Sequence, residues 1–556
     1  MKQALSFLCL TLTFHLSAQV CTPPLSAIEL HANNILARIT NGGDLFSGHF
    51  IPNPDQNGEG PITIYSAGLW LGALDSADDL RVDGVTWRQN NRTDYFAGPL
   101  GPDGTTIDQE CSNWDRHFIA RGGDIEAFLA ALPQLANNPE QAKMLFPGIM
   151  SWPGKGNPFF QEMLGFDLPF TNADLAPFFD ANQDGSYNPL QGDYPVVSLQ
   201  NHQPFVADEM IWCVFNDQGG GAARTGTFGT LFPVEIQLTA WAFNNPLSQA
   251  LNNTVFTSHK IIFHNTAKLD SCFVGIWADF DIGCYADDYV GTVAGLNTMF
   301  AYNTDAIDGQ VGNSCGSDPV FENTPPVQSV TFLNTSLDKT IANSLGTPFN
   351  TSVAPDFYRL LTGHWTDGQP LTASMNGYLT GGPEVDFIFP DHPANADGWS
   401  MCTANIAQGD RQMVGSHRIG EVLPGQIEEL TLAWTVHPDP LLPCGIGDMF
   451  SNVNEIQNLF DQNFFGGVLE ASAAPDISAA VKLQPNPATN LVDILYQDIS
   501  VVELQCFDAT GRLVRTVQQL PETQYRLDVS EWNAGVYTVK LLTTAGTAAT
   551  QLVVLK

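Results

Sequence analysis

Val502-Glu503-Leu504-Gln505-Cys506-Phe507, followed by Asp508-Ala509-Thr510-Gly511-Arg512-Leu513-Val514, is the stretch from which the fold of this chain is most directly read. Val502, Leu504 and Cys506 alternate with Glu503 and Gln505, the period of two that buries one face of a strand. Asp508 to Gly511 supply turn chemistry before the next apolar run. Working outward, Leu483-Gln484-Pro485-Asn486-Pro487-Ala488 opens the same region, Ala534-Gly535-Val536-Tyr537-Thr538-Val539 comes late, and Gln551-Leu552-Val553-Val554-Leu555-Lys556 closes it. About seven short strands between Lys482 and Lys556 predict a small antiparallel, immunoglobulin-like β-sandwich. Cys506, on the apolar side of its strand, is expected to be a small buried hydrophobe.

The combination of Pro-Asn-Pro at 485–487, Asp-x-x-Gly-Arg at 508–512, Ala-Gly-Val-Tyr at 534–537 and a final Val-Val-Leu-Lys resembles the type A C-terminal sorting domain of the type IX secretion system of Bacteroidetes-type bacteria. The sequence departs from that family at Trp532, where Leu usually precedes the Gly-x-Tyr, and a sandwich core accommodates the exchange. The resemblance implies docking of residues 482–556 on the type IX translocon, their removal by a sortase-like protease, and delivery of the rest to the outer-membrane surface or the extracellular space.

The opposite end agrees with export. Met1-Lys2, the apolar run Ala4 to Leu16 and the small pair Ser17-Ala18 have the three regions of a signal peptide, predicted to span residues 1–18. Val20 stands before Cys21 where a lipid-attachment site wants a small residue, so a lipoprotein is the weaker reading. No later stretch has the ~20 apolar residues of a transmembrane segment.

The chain has 59 acidic against 22 basic residues, a formal charge of −37. The tail is nearly balanced, so the body between leader and tail carries the excess. Such a surface repels nucleic acid and anionic membranes and concentrates cations. With 44 % hydrophobic residues, 36 Pro and 49 Gly, the sequence is that of a folded, loop-rich protein. Cys21, Cys111, Cys213, Cys272, Cys284, Cys315, Cys402 and Cys444 form an even set compatible with four disulfides in an oxidising compartment, and no Cys-x-x-Cys occurs.

Residues 19–465 are expected to form an acidic, mainly β, sandwich-like body with a few short helices, as one large domain or two. Val234 to Ala240 and Leu430 to Val436 alternate cleanly, and Val255 to His264 is β-branched and aromatic, so all three read as half-buried strands. Helical period appears over Asp124 to Met144, interrupted by Pro133 and Pro139, and over Ile446 to Phe460, where Val453, Ile456, Leu459 and Phe460 share a stripe. Residues 466–481, with Gly466-Gly467 and an Ala/Ser/Pro-bearing run, read as the linker to the tail.

Two segments could hold cations. Asp180-x-Asn182-x-Asp184-Gly185-Ser186 reproduces the first half of a calcium loop, in which a hard cation gathers several oxygens and Gly permits the sharp turn. Gln191 replaces the usual bidentate Glu and Pro189 opposes an exiting helix, so Asp193 is the residue expected to close the shell. The alternative is an Asx turn held by its own backbone bonds. The second segment is Asp279-Phe280-Asp281-Ile282-Gly283 followed by Asp287-Asp288-Tyr289-Val290-Gly291, whose four carboxylates would repel one another without a cation or protons among them. The readings are a second calcium site, a solvated acidic rim, or an acid/base pair for glycoside hydrolysis, which needs carboxyls roughly 5 to 10 Å apart. This pattern, with Gly409-Asp410-Arg411 and Leu423-Pro424-Gly425, resembles a recurring group of large secreted type IX cargo proteins without an established activity.

Elsewhere the bland reading prevails. Asn53 to Glu59 is a turn-rich loop, and His259 is a core histidine. His364-Trp365-Thr366-Asp367 lacks the nucleophile of a triad. Trp70, Trp87, Trp365 and Trp399 are core packers rather than a sugar platform. There is no His-Glu-x-x-His, no Gly-x-Ser-x-Gly and no phosphate loop. The expectation is an exported protein with a calcium-stabilised, non-catalytic body that binds a glycan or protein, as an adhesin or surface-layer component. The alternative is a secreted hydrolase acting on glycans.

Overall fold

The three alternating segments of the body become neighbours in one sheet. In a computed structural model, which describes residues 21–88, 92–171, 173–220, 224–245, 247–309, 315, 318–438, 443–464, 481–496, 501–507, 513–518, 520, 523–543 and 546–556, Val234–Ala242 pairs antiparallel with Thr254–Phe263, and that strand pairs with Ile427–His437. The predicted leader and nearly all of the predicted linker lie outside the described residues. The three strands are buried along nearly their whole length, where half-burial was expected. One face meets the other sheet, and rings cap the opposite face. Trp241 stacks on Phe256 at 5.3 Å, and Phe464 lies 5.0 Å from Phe256. Polar groups on that face are paired internally, as in the 3.1 Å bond from Thr431 Oγ1 to Ser258 Oγ.

The chain divides into two compact units between Val468 and Leu469. The first contains two large sheets. One runs in the order Ala27–Leu30, Ile35–Thr40, Asp44–Pro52, Ile64–Leu74, Leu269–Phe280, Arg411–Val422 and Lys339–Ala342, with Leu80–Asp83 added to Ile64–Leu74. The other runs Asp288–Val293, Thr298–Asn303, Val327–Phe332, Ile427–His437, Thr254–Phe263, Val234–Ala242, Glu209–Asn216 and Phe96–Ala97, with Phe118–Arg121 also on Glu209–Asn216. Their apolar residues form one core that includes Ile276 and Val414 from the first sheet and Met299, Val330 and Leu432 from the second. At Gly415 the sheets approach so closely that a Cβ would lie 3.0 Å from Met299 Sδ and from Leu337 Cδ1.

Leu269–Phe280 is central in the first sheet and Asp288–Val293 is at the edge of the second, so Asp281 to Asp287 carry the chain from sheet to sheet. The acidic run of the sequence is this corner.

The predicted helical stretch at 124–144 forms Gly122–Leu135, with Pro133 inside it, and Pro139–Leu145, started by Pro139 in the first turn. The second predicted helix is Met449–Asp461, which buries Met449, Val453, Ile456, Leu459 and Phe460. Short helices that the period did not mark include Ala354–Leu361, whose Phe357 packs 4.5 Å from Trp70 on the first sheet.

Three disulfides form: Cys21–Cys111, Cys284–Cys315 and Cys402–Cys444. The fourth bridge that the even count allowed does not. Cys213 and Cys272 are buried free thiols on strands of different sheets, where they serve as small core residues.

Among its described residues the second unit has seven strands in two antiparallel sheets: Val481–Gln484, Leu491–Tyr496 and Gln524–Asp528 in one, and Leu513–Gln518, Val501–Phe507, Gly535–Thr543 and Gly546–Val554 in the other. Leu504 and Cys506 are fully buried in its core, as their alternation predicts. Trp532 packs against that core, 4.7 Å from the ring of Tyr537. The turn at Asp508 to Gly511 lies outside the described residues.

Candidate functional site

In the Asp180 loop the carboxylates are engaged by the chain's own amides. Asp180 Oδ2 accepts from Gly185 N at 2.7 Å, Asn182 Oδ1 from Asp184 N at 3.1 Å, and Asp184 Oδ1 from Ser186 N at 2.8 Å. Gln183 and Gly185 take left-handed conformations, at φ of 59° and 76°, which curls the loop around these oxygens. Asp193 is fully buried beneath the loop and accepts from Ala181 N and Asn188 N at 2.9 and 2.7 Å. Burial, and then the charges of Asp180 and Asp184, raise the pKa of Asp193, so the three carboxyls share one electrostatic neighbourhood.

The second acidic segment is divided by the fold. Asp279 ends the central strand of the first sheet, paired with Ser66 on one side and Gln412 on the other. That register brings in Asp410, which precedes the strand beginning at Arg411. One carboxylate oxygen each from Asp279, Asp281 and Asp410 lie within 4.8 Å of one another. Asp279 is 5 % exposed, and its Oδ1 has no hydrogen-bond partner among the described residues, while its Oδ2 accepts from Trp87 Nε1. Burial raises the Asp279 carboxyl to about 7, the Trp87 bond opposes that, and the Asp410 charge adds to it. Burial raises Asp281 further, to about 8, helped by repulsion from Asp279, Asp410 and Asp318.

These carboxyls line an open cleft of about 480 Å³. Tyr65, Trp87 and Tyr285 line it too and are 43, 40 and 39 % exposed, although large aromatics normally seek cover. Trp87 is held upright by its bond to Asp279 and by an edge contact with Trp277 at 4.9 Å. Of the four tryptophans read as core packers, Trp70 and Trp365 are fully buried and Trp399 is half-buried, so Trp87 is the exception.

Asp287 and Asp288 lie on the inner side of the corner. Asp288 is fully buried and accepts from Ile282 N at 2.9 Å, and Asp287 accepts from Gly309 N at 3.0 Å. Asp281 stands between the two groups, close enough for its charge to raise the pKa of Asp288 after burial has done so. Sequence reasoning missed Asp410, Asp318, Tyr65 and Tyr285 as site residues, and it weighed Trp87 as part of a sugar platform but preferred core packing. For Asp410 the signal was Gly409-Asp410-Arg411, which carried a resemblance without a role.

The remaining candidates keep their structural roles. His259 is fully buried and held down to about 4 by desolvation. His364 Nδ1 pairs with Thr362, whereas Asp367 accepts from Tyr378 Oη at 2.7 Å, so the two do not form a relay. Asp55 accepts from Asn57 N and Glu59 N, an ordinary Asx-type loop.

Among solved structures, a polysaccharide lyase overlaps 58 % of this chain at 8 % identity with a TM-score of 0.16, a likeness too slight to carry an argument, and the overlap spans 34 % of that structure's length. No curated protein matches the chain. Among the described residues, no helix is long and apolar enough to cross a membrane. Residues 482–555 match the family model of the secretion system C-terminal sorting domain, so the seven-stranded unit is the type A sorting domain of type IX secretion cargo, which sends the protein to the cell surface or the extracellular space.

Proposed function

We propose that the body of this exported protein works by binding rather than catalysis, as an adhesin or surface-layer component stabilised by calcium. The observation that carries the reading is the convergence of Asp279, Asp281 and Asp410 within 4.8 Å in an open cleft. Three carboxylates at that spacing need protons or a cation between them. A single calcium ion, which takes oxygens at about 2.4 Å, bridges them without rearrangement, and extracellular modules bind it in the range of about 0.1 to 1 mM. The Asp180, Asn182, Asp184, Ser186 and Asp193 loop supplies a second place for such an ion if its oxygens exchange amide partners for the metal. The exposed Tyr65, Trp87 and Tyr285 give the cleft a surface for a glycan or protein ligand.

The rival reading, a glycan hydrolase, draws on the same cleft. A carboxyl raised to about 7 is the form a general acid takes. Against it, a glycosidase pair stands at least ~5 Å apart to admit the sugar or a water. In export, the sorting domain engages the type IX translocon and is then removed by a sortase-like protease. Asp279→Asn separates the two readings of the body. In a binding protein it removes a calcium-dependent part of the melting temperature, whereas in a hydrolase it abolishes turnover of a glycan panel and leaves melting in calcium unchanged.

A further inference from the structure

The outer face of the second sheet, turned away from the core, carries a pocket of its own. The ring cap around Phe256 covers only part of that face. Elsewhere on it, strand register lays two polar rows side by side. Gln237, Lys260 and Glu429 are directly opposed on three neighbouring strands, and Trp212, Thr239 and Ser258 form the next row. Their chain neighbours Cys213, Leu238, Ile261 and Leu430 belong to the core, so alternation along each strand turns these six side chains outward. Two segments, around Leu175 and around Leu199, close over the rows and leave a pocket of about 340 Å³. They are tied down at both ends. Gln237 Nε2 donates to the carbonyl of Asp174 at 3.0 Å, and the Glu429 carboxylate accepts from Gln200 N at 3.1 and 3.2 Å. The pocket shares no lining residue with the Asp279 cleft.

The carboxylates here are occupied and the ammonium is not. Glu429 also accepts from Thr431 Oγ1 at 3.2 Å, and Glu235 accepts from Leu100 N at 2.8 Å and Gln237 Nε2 at 2.9 Å. Lys260 is half-buried in the pocket wall, and its Nζ has no hydrogen bond or ion pair among the described residues. Burial lowers its pKa, against the charges of Glu235, Asp174 and Glu429. Other groups in the two rows are open as well. Gln237 Oε1 and the Thr239 hydroxyl have no partner among the described residues, and Ser258 Oγ accepts from Thr431 while its own hydrogen goes to no described acceptor.

We infer that this pocket binds an uncharged sugar unit of a glycan, with Lys260 and Ser258 donating to its hydroxyls and Gln237 and Thr239 accepting from them. A sugar hydroxyl both donates and accepts, and the two rows offer both within one strand spacing. Leu175, Pro177, Leu199 and Ile427 supply apolar sides for the C–H faces of the ring, and the volume falls in the ~300 to 1,000 Å³ range of small-ligand pockets. A charged ligand fits less well in either sign. Three carboxylates already act on Lys260, so an anion gains one ammonium and meets their field, whereas a cation meets the ammonium itself. No metal enters this recognition, which sets it apart from the reading of the Asp279 cleft.

The test is titration calorimetry of the purified full-length protein, in calcium and in chelator, against lactose, maltose, cellobiose, mannobiose and N,N′-diacetylchitobiose, with glucuronate as the charged control. At least one disaccharide is expected to bind at one site per chain in both conditions. Lys260→Met keeps the stem without the charge and should weaken that binding at least about tenfold, Thr239→Val about three- to tenfold, and Asp279→Asn should leave it unchanged. A readout on the unaltered chain covers variants that do not fold. Acetylation of Lys260 by acetic anhydride, followed by peptide mass spectrometry, should slow when the same sugar is saturating. The inference is overturned if none of the disaccharides binds, which leaves the pocket to water, or if bound sugar leaves the acetylation rate unchanged. Tighter binding of glucuronate, lost in Lys260→Met, overturns it in favour of an anion. Sugar binding that disappears in chelator and in Asp279→Asn belongs to the cleft and overturns it too, whereas failure of the calcium reading alone leaves it standing.

Discussion

Replacing Asp279 by Asn has consequences that differ with and without calcium, which makes it the most informative perturbation of the cleft. In the absence of a cation, a buried carboxyl whose pKa rises from 3.8 to about 7 on folding opposes the fold once ionised. The native state binds the extra proton, so its contribution is intact below about pH 4 and is lost as the pH rises through about 7. At about 1.36 kcal/mol for each pH unit, the loss reaches about 4 kcal/mol at pH 8. Asparagine keeps the shape and an acceptor for Trp87 Nε1 but carries no charge. In chelator at pH 8 the variant is therefore expected to melt higher than the parent, by up to about 4 °C, taking ~2.1 cal/mol/K per residue over a body of roughly 440 residues. At pH 4 the two should coincide. Calcium at 100 times its dissociation constant stabilises the parent by about 2.7 kcal/mol through this site, or about 3 °C, and the variant's calcium response should be smaller by that amount. Differential scanning calorimetry across pH, with calcium and with chelator, reads both effects. A variant that melts below the parent in chelator and keeps the full calcium response would refute the reasoning.

Three other outcomes are expected from the same structure. Deleting Lys482 to Lys556 in the native host should trap the protein in the periplasm, read by fractionation, and normal surface display of the truncated chain would contradict the sorting assignment. Leu504→Ala, which empties part of the sorting-domain core, should cost about 2 to 5 kcal/mol and reduce export before any effect on the body's melting. Replacing Cys402 and Cys444 by Ser opens a bridge with a sequence separation of 42, for which chain entropy gives a loss of about 4 kcal/mol, seen as a lower melting temperature and a smaller further drop on adding reductant than in the parent.

Local pattern alone determined much of this protein. Strand alternation at Leu504 and Cys506, the stripe at Val453, Ile456, Leu459 and Phe460, and the sorting-domain motifs each depend on neighbours a few residues away. The alternation and the stripe matched the elements found, and the motifs lie in the region that the sorting-domain family matches. What covers a strand is a long-range matter, so Val234–Ala242 and Ile427–His437 read as half-buried although a second sheet and a cap of aromatic rings enclose them. Cysteine pairing is equally non-local, and parity could not reveal that Cys213 and Cys272 lie on different sheets. The acidic segment gives the clearest division. Its sequence showed that Asp279, Asp281, Asp287 and Asp288 are close enough along the chain to repel one another, and left a cation, protons or solvent as the ways to relieve that repulsion. Only the tertiary structure decided how they are grouped, because strand register brings Asp410 from more than a hundred residues away to Asp279 and sets Asn303 opposite Asp288.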